Sequence, residues 1–493
     1  MSLFEGKSRW PFVVIVTLFA LVFGSITFVN HYLFRTYALD LGMFNQALYC
    51  FSHGNENIFT LSLEKQTVHF FATHFSPIIF LFVPLHFVFG SYTFLVVQWL
   101  ALLLGGIGMY RLAGHVLESK NKYLPEFILL HFYSIWGIYS ALAFDFHHNV
   151  IGAMLLPWFL YFLITKRNRP SILFFLLILC CQENMALWMF FVMLALMMMG
   201  WRRKSLDATT GKTYLLFLGA SLVYFIIVSQ WVMPAFQHSE RNLQYMRYSH
   251  MGESPWEMLK YLLSNPGQIV QLLFGDTYGQ HWYHKIKLTA HAMILLSGGW
   301  LLFARPFIFL MLLPIYAQKF FADNLDFWGI NLQYSIEFVP ILSYVLIDFI
   351  KNKSSRSAMA ISITVVVISL TVNLTSIALK NYESGVNVSF FKQRHYCSPL
   401  FVSHIHEQLK QIPADVPVSA STNLIPHIAN REHLYHFPTI KDAEYILVLT
   451  KNNVTYPVGR EVFDRLLDSC RNMTGFEKVT EKADLLILRK KQD

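Results

Sequence analysis

The chain has 493 residues, 55% of them hydrophobic and only 14% charged, with a mean hydropathy of +0.42. A soluble protein of this length could not bury so much apolar surface, so a soluble enzyme is excluded and a polytopic membrane protein is expected. The net charge of +9 does not point to nucleic acid, because Lys and Arg collect in the cytoplasmic loops of membrane proteins.

In chain order, Lys7 and Arg9 precede an apolar run, 11–30, too long for a signal-peptide core and read as an uncleaved signal anchor. Further candidate spans are 92–111, 125–142, 149–165, 171–183, 185–200, 213–233, 287–304, 307–321, 334–350 and 357–377. The stretch 76–89 (SPIIFLFVPLHFVF) would cover roughly 21 Å as a helix, short of a hydrocarbon core about 30 Å thick. It also contains Pro77, Pro84 and His86. If it does not cross, the basic clusters around Arg111/Lys120, Lys166/Arg167, Arg202/Arg203, Arg305 and Lys351/Lys353 all fall on the side of the N-terminus, as the positive-inside rule requires. The expectation is an all-α bundle of about 11 spans, with 76–89 interfacial, the N-terminus inside and the C-terminus outside.

Composition shifts after residue 380. The runs 416–420 and 444–449 read as strands, 458–470 as a helix, and GFEKVTEKADLLILRK as a terminal hairpin. The expected organisation is a transmembrane domain, 1–380, followed by a small extracytoplasmic α/β domain, 381–493. Cys397 and Cys470 could pair there if the domain is exported.

This topology puts acids at successive outer turns: Asp40 in YALDLG, Asp145 in FDFHHN and Glu183 in QENMALW. Carboxylates beside lipid are costly and usually functional. Asp40 opens an amphipathic helix, 41–53, with Leu41, Phe44, Leu48 and Phe51 on one face; the plain alternative for it is an N-cap. His74 stands at the entrance of the interfacial stretch. Asp145 with His147 and His148 could bind a divalent metal ion, although the spacing is no specific signature. In the outer loop 234–286, Arg241 and Arg247 suit bidentate phosphate contacts. Gln333 and Tyr334, in ADNLDFWGINLQYSIE, and Gln46 supply the amide and aromatic groups a sugar pocket needs.

The motifs YALDLGMFNQALYCFSHG, HFSPIIFLFVPLHFVFG, FDFHHN, QENMALW, LQYSIEFVP and PHIANREHLYHFP resemble those of a bacterial polytopic membrane protein family grouped with the GT-C glycosyltransferases. The resemblance covers nearly the whole chain. It implies a GT-C-like fold in the bacterial inner membrane, a polyprenyl-phosphate-linked sugar as donor on the extracytoplasmic face, and an envelope acceptor. On this likeness Asp40 matches the catalytic acid of the first outer loop and Asp145 the acid of the second. Related sequences often carry Lys-Glu-Asp where this chain has Gln182-Glu183-Asn184, which puts a phosphate or metal role there in doubt. The implied reaction is an inverting transfer with Asp40 as base. A lipid or glycan flippase, or a scaffold whose exported domain binds an envelope partner, are the rival readings.

Overall fold

The computed structural model describes residues 10–55, 58–61, 68–117, 120–236, 247–275, 283–379, 388–451 and 454–491. It is a helical bundle with a small mixed sheet near the C-terminus. Among the described residues, five helices are long and apolar enough to cross a membrane: Trp10–Tyr32, the tandem run Pro77–Val116, Glu183–Arg202, Ala208–Ala235 and Ser355–Leu379. A sixth forms if Leu124–Ser134 and Trp136–Ala143, bent by 42°, act as one span. His148–Ile164, Asn168–Leu179, Pro306–Phe320 and Phe338–Ile350 are apolar but shorter. By length, the described helices account for five or six of the about 11 expected spans, and the four shorter apolar helices lie at others of them. Pro and Gly account for part of the shortening. The expected span 287–304, for instance, breaks at Gly298, whose φ is 99°.

Close packing in the bundle depends on missing side chains. A Cβ on Gly106 would lie 2.2 Å from the Tyr133 ring, and the Tyr133 hydroxyl donates to the Leu103 carbonyl at 2.7 Å. Trp99 on the same helix donates to the Ala20 carbonyl at 3.0 Å, fixing the first span. Outside this core, Leu215, Leu216 and Val223 are exposed on the Ala208–Ile227 helix, as a lipid-facing surface would be.

The two ends of the bundle differ in chemistry. At one end Asp348 binds Arg203 at 2.7 Å, Arg305 at 2.9 Å and Lys351 at 2.7 Å, and Lys120 donates to the Lys353 carbonyl at 2.5 Å. Basic segments far apart in the chain thus share one face. At the other end lie Asp40, Asp145, Glu183 and the sheet. Both ends of 77–92 also lie there: the Ile78 N–H donates to the Cys180 carbonyl, and Ser91 contacts His31 at 3.2 Å and Asn45 at 3.1 Å. Pro77 and Pro84 start its helical turns, and Gly90, at φ 51°, ends them.

The sheet has five strands in the order Leu434–His436, Val418–Ala420, Tyr445–Leu449, Leu485–Lys490, Phe476–Lys482. The first two pairings are parallel and the last two antiparallel. The helix Arg460–Arg471 packs Phe463, Leu467 and Cys470 against one face. Cys470 is buried in that packing while Cys397 is exposed, and both are free thiols, so the expected disulfide is absent. The other face shares a core with the first loop through Phe34, Ala38 and Leu61.

Candidate functional site

Asp40 sits in the wide turn Ala38–Gly42 at φ 73° and ψ −95°, a conformation that costs a non-glycine residue roughly 1–3 kcal/mol. The turn is clamped on both sides. The Tyr37 N–H donates to Asp145 Oδ2 at 3.0 Å. The Ala38 N–H donates to Thr422 Oγ1 at 3.2 Å, and Asn423 donates to the Phe34 carbonyl at 2.6 Å. A Cβ on Gly42 would lie 2.7 Å from Ile425, so only glycine lets the sheet domain approach this closely. The helix that follows, Met43–Ser52, receives no side-chain cap. The alternative of Asp40 as an N-cap is therefore overturned: Gly42 holds the capping position, and no side chain accepts from the first turn.

The Asp40 carboxylate is about one-third exposed, and its Oδ2 lies 3.5 Å from His147 Nε2. Asp145, itself at φ 49°, is buried. Burial pushes its carboxyl well above the usual range; the Tyr37 N–H pulls it down and the Asp40 carboxylate pushes it further up. Its Oδ1 has no hydrogen-bond partner among the described residues. The loop that carries Asp145 and His147 is gripped by Gln98. That side chain donates to the Asp145 carbonyl at 2.8 Å and accepts the His147 N–H at 3.0 Å.

The remaining expected residues divide. Tyr334 stacks on Phe327 with centroids 3.9 Å apart, the Arg247 guanidinium lies 4.8 Å from the Phe327 centroid, and the Asp40 and Arg247 charges both act on Tyr334. Gln333 is buried beside the Tyr334 hydroxyl. Arg241 lies outside the described residues. Glu183 is drawn elsewhere: its Oε2 accepts the Phe75 N–H at 3.0 Å and its Oε1 meets His74 Nδ1 at 3.1 Å, with the Gln182 amide also 2.9 Å from that nitrogen. The Gln46 amide is spent on Thr60 at 2.6 Å and the Glu432 carbonyl at 2.9 Å, tying the first loop to the sheet domain.

The expected metal ligands do not converge. The His148 ring is packed among Phe44, Phe70, Phe94 and Phe146, and Asp145 Oδ2 is taken by Tyr37. Among the described residues no group of three or more His, Cys, Asp or Glu is placed to hold a metal ion.

Sequence reasoning missed several contributors. Tyr456, next to the sheet, is half-exposed; burial pushes its hydroxyl upward, and the field of the Asp40 carboxylate adds to it. Gln98 had a visible signal, a lone amide inside an apolar run. So did Lys319, whose buried ammonium donates to the Phe327 and Gly329 carbonyls at 2.8 and 2.5 Å and to Ser335 at 3.2 Å. Lys287 likewise sits 3.8 Å over Trp328. The two lysines hold the loop that presents Phe327 and Tyr334.

Together these features define a membrane protein of GT-C-like fold, with an acid-bearing first loop packed against a small C-terminal sheet. The structure of ArnT from Cupriavidus metallidurans bound to undecaprenyl phosphate is similar over 98% of both chains, with a TM-score of 0.55 at 11% identity. The arabinofuranosyltransferase AftD from Mycobacteria aligns with 99% of this chain and 42% of its own, at a TM-score of 0.49 and 12% identity. The chain belongs to the family described as predicted membrane protein (DUF2079), whose model matches residues 30–456. The likeness to the first of these structures is one of fold. No curated protein matches the chain.

Proposed function

We propose that the protein is a membrane glycosyltransferase that moves a sugar from a polyprenyl-phosphate donor to an acceptor hydroxyl. The observation that carries this reading is the Asp40 carboxylate. It is accessible, held on a strained backbone, and set between the bundle and the sheet domain. Asp40 takes the proton as the acceptor O–H breaks, the acceptor oxygen bonds to the anomeric carbon, and the sugar–phosphate C–O bond breaks with its electrons leaving on the lipid phosphate. Displacement from the opposite side inverts the anomeric centre. General-base assistance of this kind is worth roughly 10²–10⁴ in rate. Arg247 faces the leaving phosphate as a fork-shaped cation, with Arg241 as a second candidate. Phe327, Tyr334 and Tyr456 provide flat surfaces for sugar rings, and Gln333 offers an amide for their hydroxyls.

Asp145 and Glu183 act on the scaffold in this scheme. Asp145 fixes the Asp40 turn through Tyr37, and Glu183 with His74 fixes the entry to the 77–89 segment. That segment exposes Phe80, Leu81, Phe87 and Val88, and we assign it to the membrane surface, where the donor's headgroup enters. The clustered basic loops support a cytoplasmic opposite face, and with it an extracytoplasmic site in the bacterial inner membrane. The fold neighbour bound to undecaprenyl phosphate supports a lipid phosphate of that class.

The test is a panel of undecaprenyl-phosphate-linked sugars presented to purified protein with an envelope extract as acceptor source. Release of undecaprenyl phosphate with at least one donor is expected. Arg247→Ala is expected to weaken undecaprenyl phosphate binding about tenfold. Binding unchanged in that variant, with no donor consumed by the parent protein, would remove the reading.

A further inference from the structure

His147 was read from the sequence as a metal ligand, yet its surroundings suit another task. Its side chain is nine-tenths buried directly behind the more exposed Asp40, with Nε2 3.5 Å from Asp40 Oδ2. Neither ring nitrogen has a hydrogen-bond partner among the described residues. Leaving buried polar atoms unpaired costs about 1–3 kcal/mol, so an imidazole in this state calls for an explanation. The ring is not free to turn away. Its backbone N–H is held by Gln98, its face lies on Phe144 with centroids 5.5 Å apart, and its edge meets Phe44 at 6.2 Å.

We propose that His147 is a positioning residue for Asp40, donating an Nε2–H hydrogen bond to Oδ2 and so leaving Oδ1 turned to the acceptor hydroxyl. The inference rests on the reading of Asp40 as the base. A carboxylate on a single strained residue can rotate about its side-chain torsions. One fixed donor behind it selects the rotamer in which the front oxygen can take a proton. Catalytic hydrogen bonds are often long before substrate arrives and tighten in the complex, which accounts for the 3.5 Å separation. The arrangement requires only that Nε2 carry a proton.

The side-chain amide of Gln places its nitrogen near the position of Nε2, whereas that of Asn falls near Nδ1. The proposal therefore predicts an ordered series. His147→Ala lowers kcat for transfer about 10- to 100-fold with KM for the donor and undecaprenyl phosphate binding within twofold. His147→Gln recovers kcat to within about fivefold of the parent, and His147→Asn does not. Equal kcat in the Ala variant, a loss carried by KM, or indistinguishable Gln and Asn variants would overturn it. A second measurement does not depend on turnover. In protein labelled with ¹⁵N-histidine, the His147 signal, assigned by its loss in His147→Gln, is expected to shift in Asp40→Asn. An unmoved signal would show that no such pair exists, whatever the donor panel gives. A shifted signal without turnover of any donor would leave the pair standing and remove the glycosyl-transfer reading.

Discussion

Asp348 and Asp40 mark the two ends of the bundle, and they are opposites. Asp348 is almost wholly buried, lies on a regular helix and is met by three cations within 2.9 Å. Asp40 is partly exposed, lies on a strained turn and, among the described residues, is met by His147 at 3.5 Å. A carboxylate whose lone pairs are filled by Arg and Lys contributes to the fold and is unavailable for chemistry. One that is kept short of partners at a backbone cost is poor as a structural element and able to accept a proton.

The contrast can be broken most strongly at Asp348. Asp348→Ala leaves Arg203, Arg305 and Lys351 without their anion and is expected to cost about 3 kcal/mol of stability. The partners' partial exposure keeps the cost at the low end of the usual range. Transfer per folded molecule is expected to stay unchanged. Thermal melting in detergent, with activity normalised to folded protein, checks both halves.

A smaller effect of opposite sign is expected at the other end. Asp40→Gly removes the side chain but suits the positive φ, so the melting temperature should rise by an amount equivalent to about 1 kcal/mol, the relieved strain less the added chain entropy. A lower melting temperature would mean that the Asp40 side chain holds the fold together.

The roof over Asp40 offers a third lever. His427 stacks on His31 at 4.1 Å and meets His406 edge-on at 5.3 Å, where the sheet domain joins the first span. Burial holds His427 well below its ordinary value, with the His31 and His406 charges adding to the effect. His406 is lowered too, first by burial and then by Lys410, against the Tyr32 carbonyl that it contacts. An unfolded imidazole titrates near about 6.5. The contact's contribution is therefore complete above that pH and is lost as pH falls from there through the lowered folded values. Melting temperature is expected to drop below about pH 6.5, and less steeply in His427→Phe. Equal acid sensitivity in the two proteins would show that the histidines do not set it.

Much of this was legible from local pattern. The apolar runs, the strands 416–420 and 444–449 and the closing hairpin reappear as Val418–Ala420, Tyr445–Leu449 and the paired Phe476–Lys482 and Leu485–Lys490. The stretch 76–89, expected from basic-loop parity to be interfacial, lies in a segment whose ends contact Cys180 and His31. The Asp40 turn was not legible. Its conformation is imposed by Asp145 and Thr422, more than 100 and 380 residues further along, and no local rule encodes such contacts. For the same reason a metal set read from Asp145, His147 and His148 came apart. Adjacent residues in a turn point in different directions, and phenylalanines from other helices took His148. Tyr456 carried no local signal, and only the docking of the sheet domain brings it near Asp40.

The assignment of Asp40 to chemistry and not to structure can be checked on one variant. It is tested most directly by measuring melting temperature and undecaprenyl phosphate release on the same preparation of Asp40→Asn. A melting temperature at or above that of the parent is expected, with release lowered by roughly 10²-fold or more. Parent-level release from a normally folded Asp40→Asn protein would contradict it.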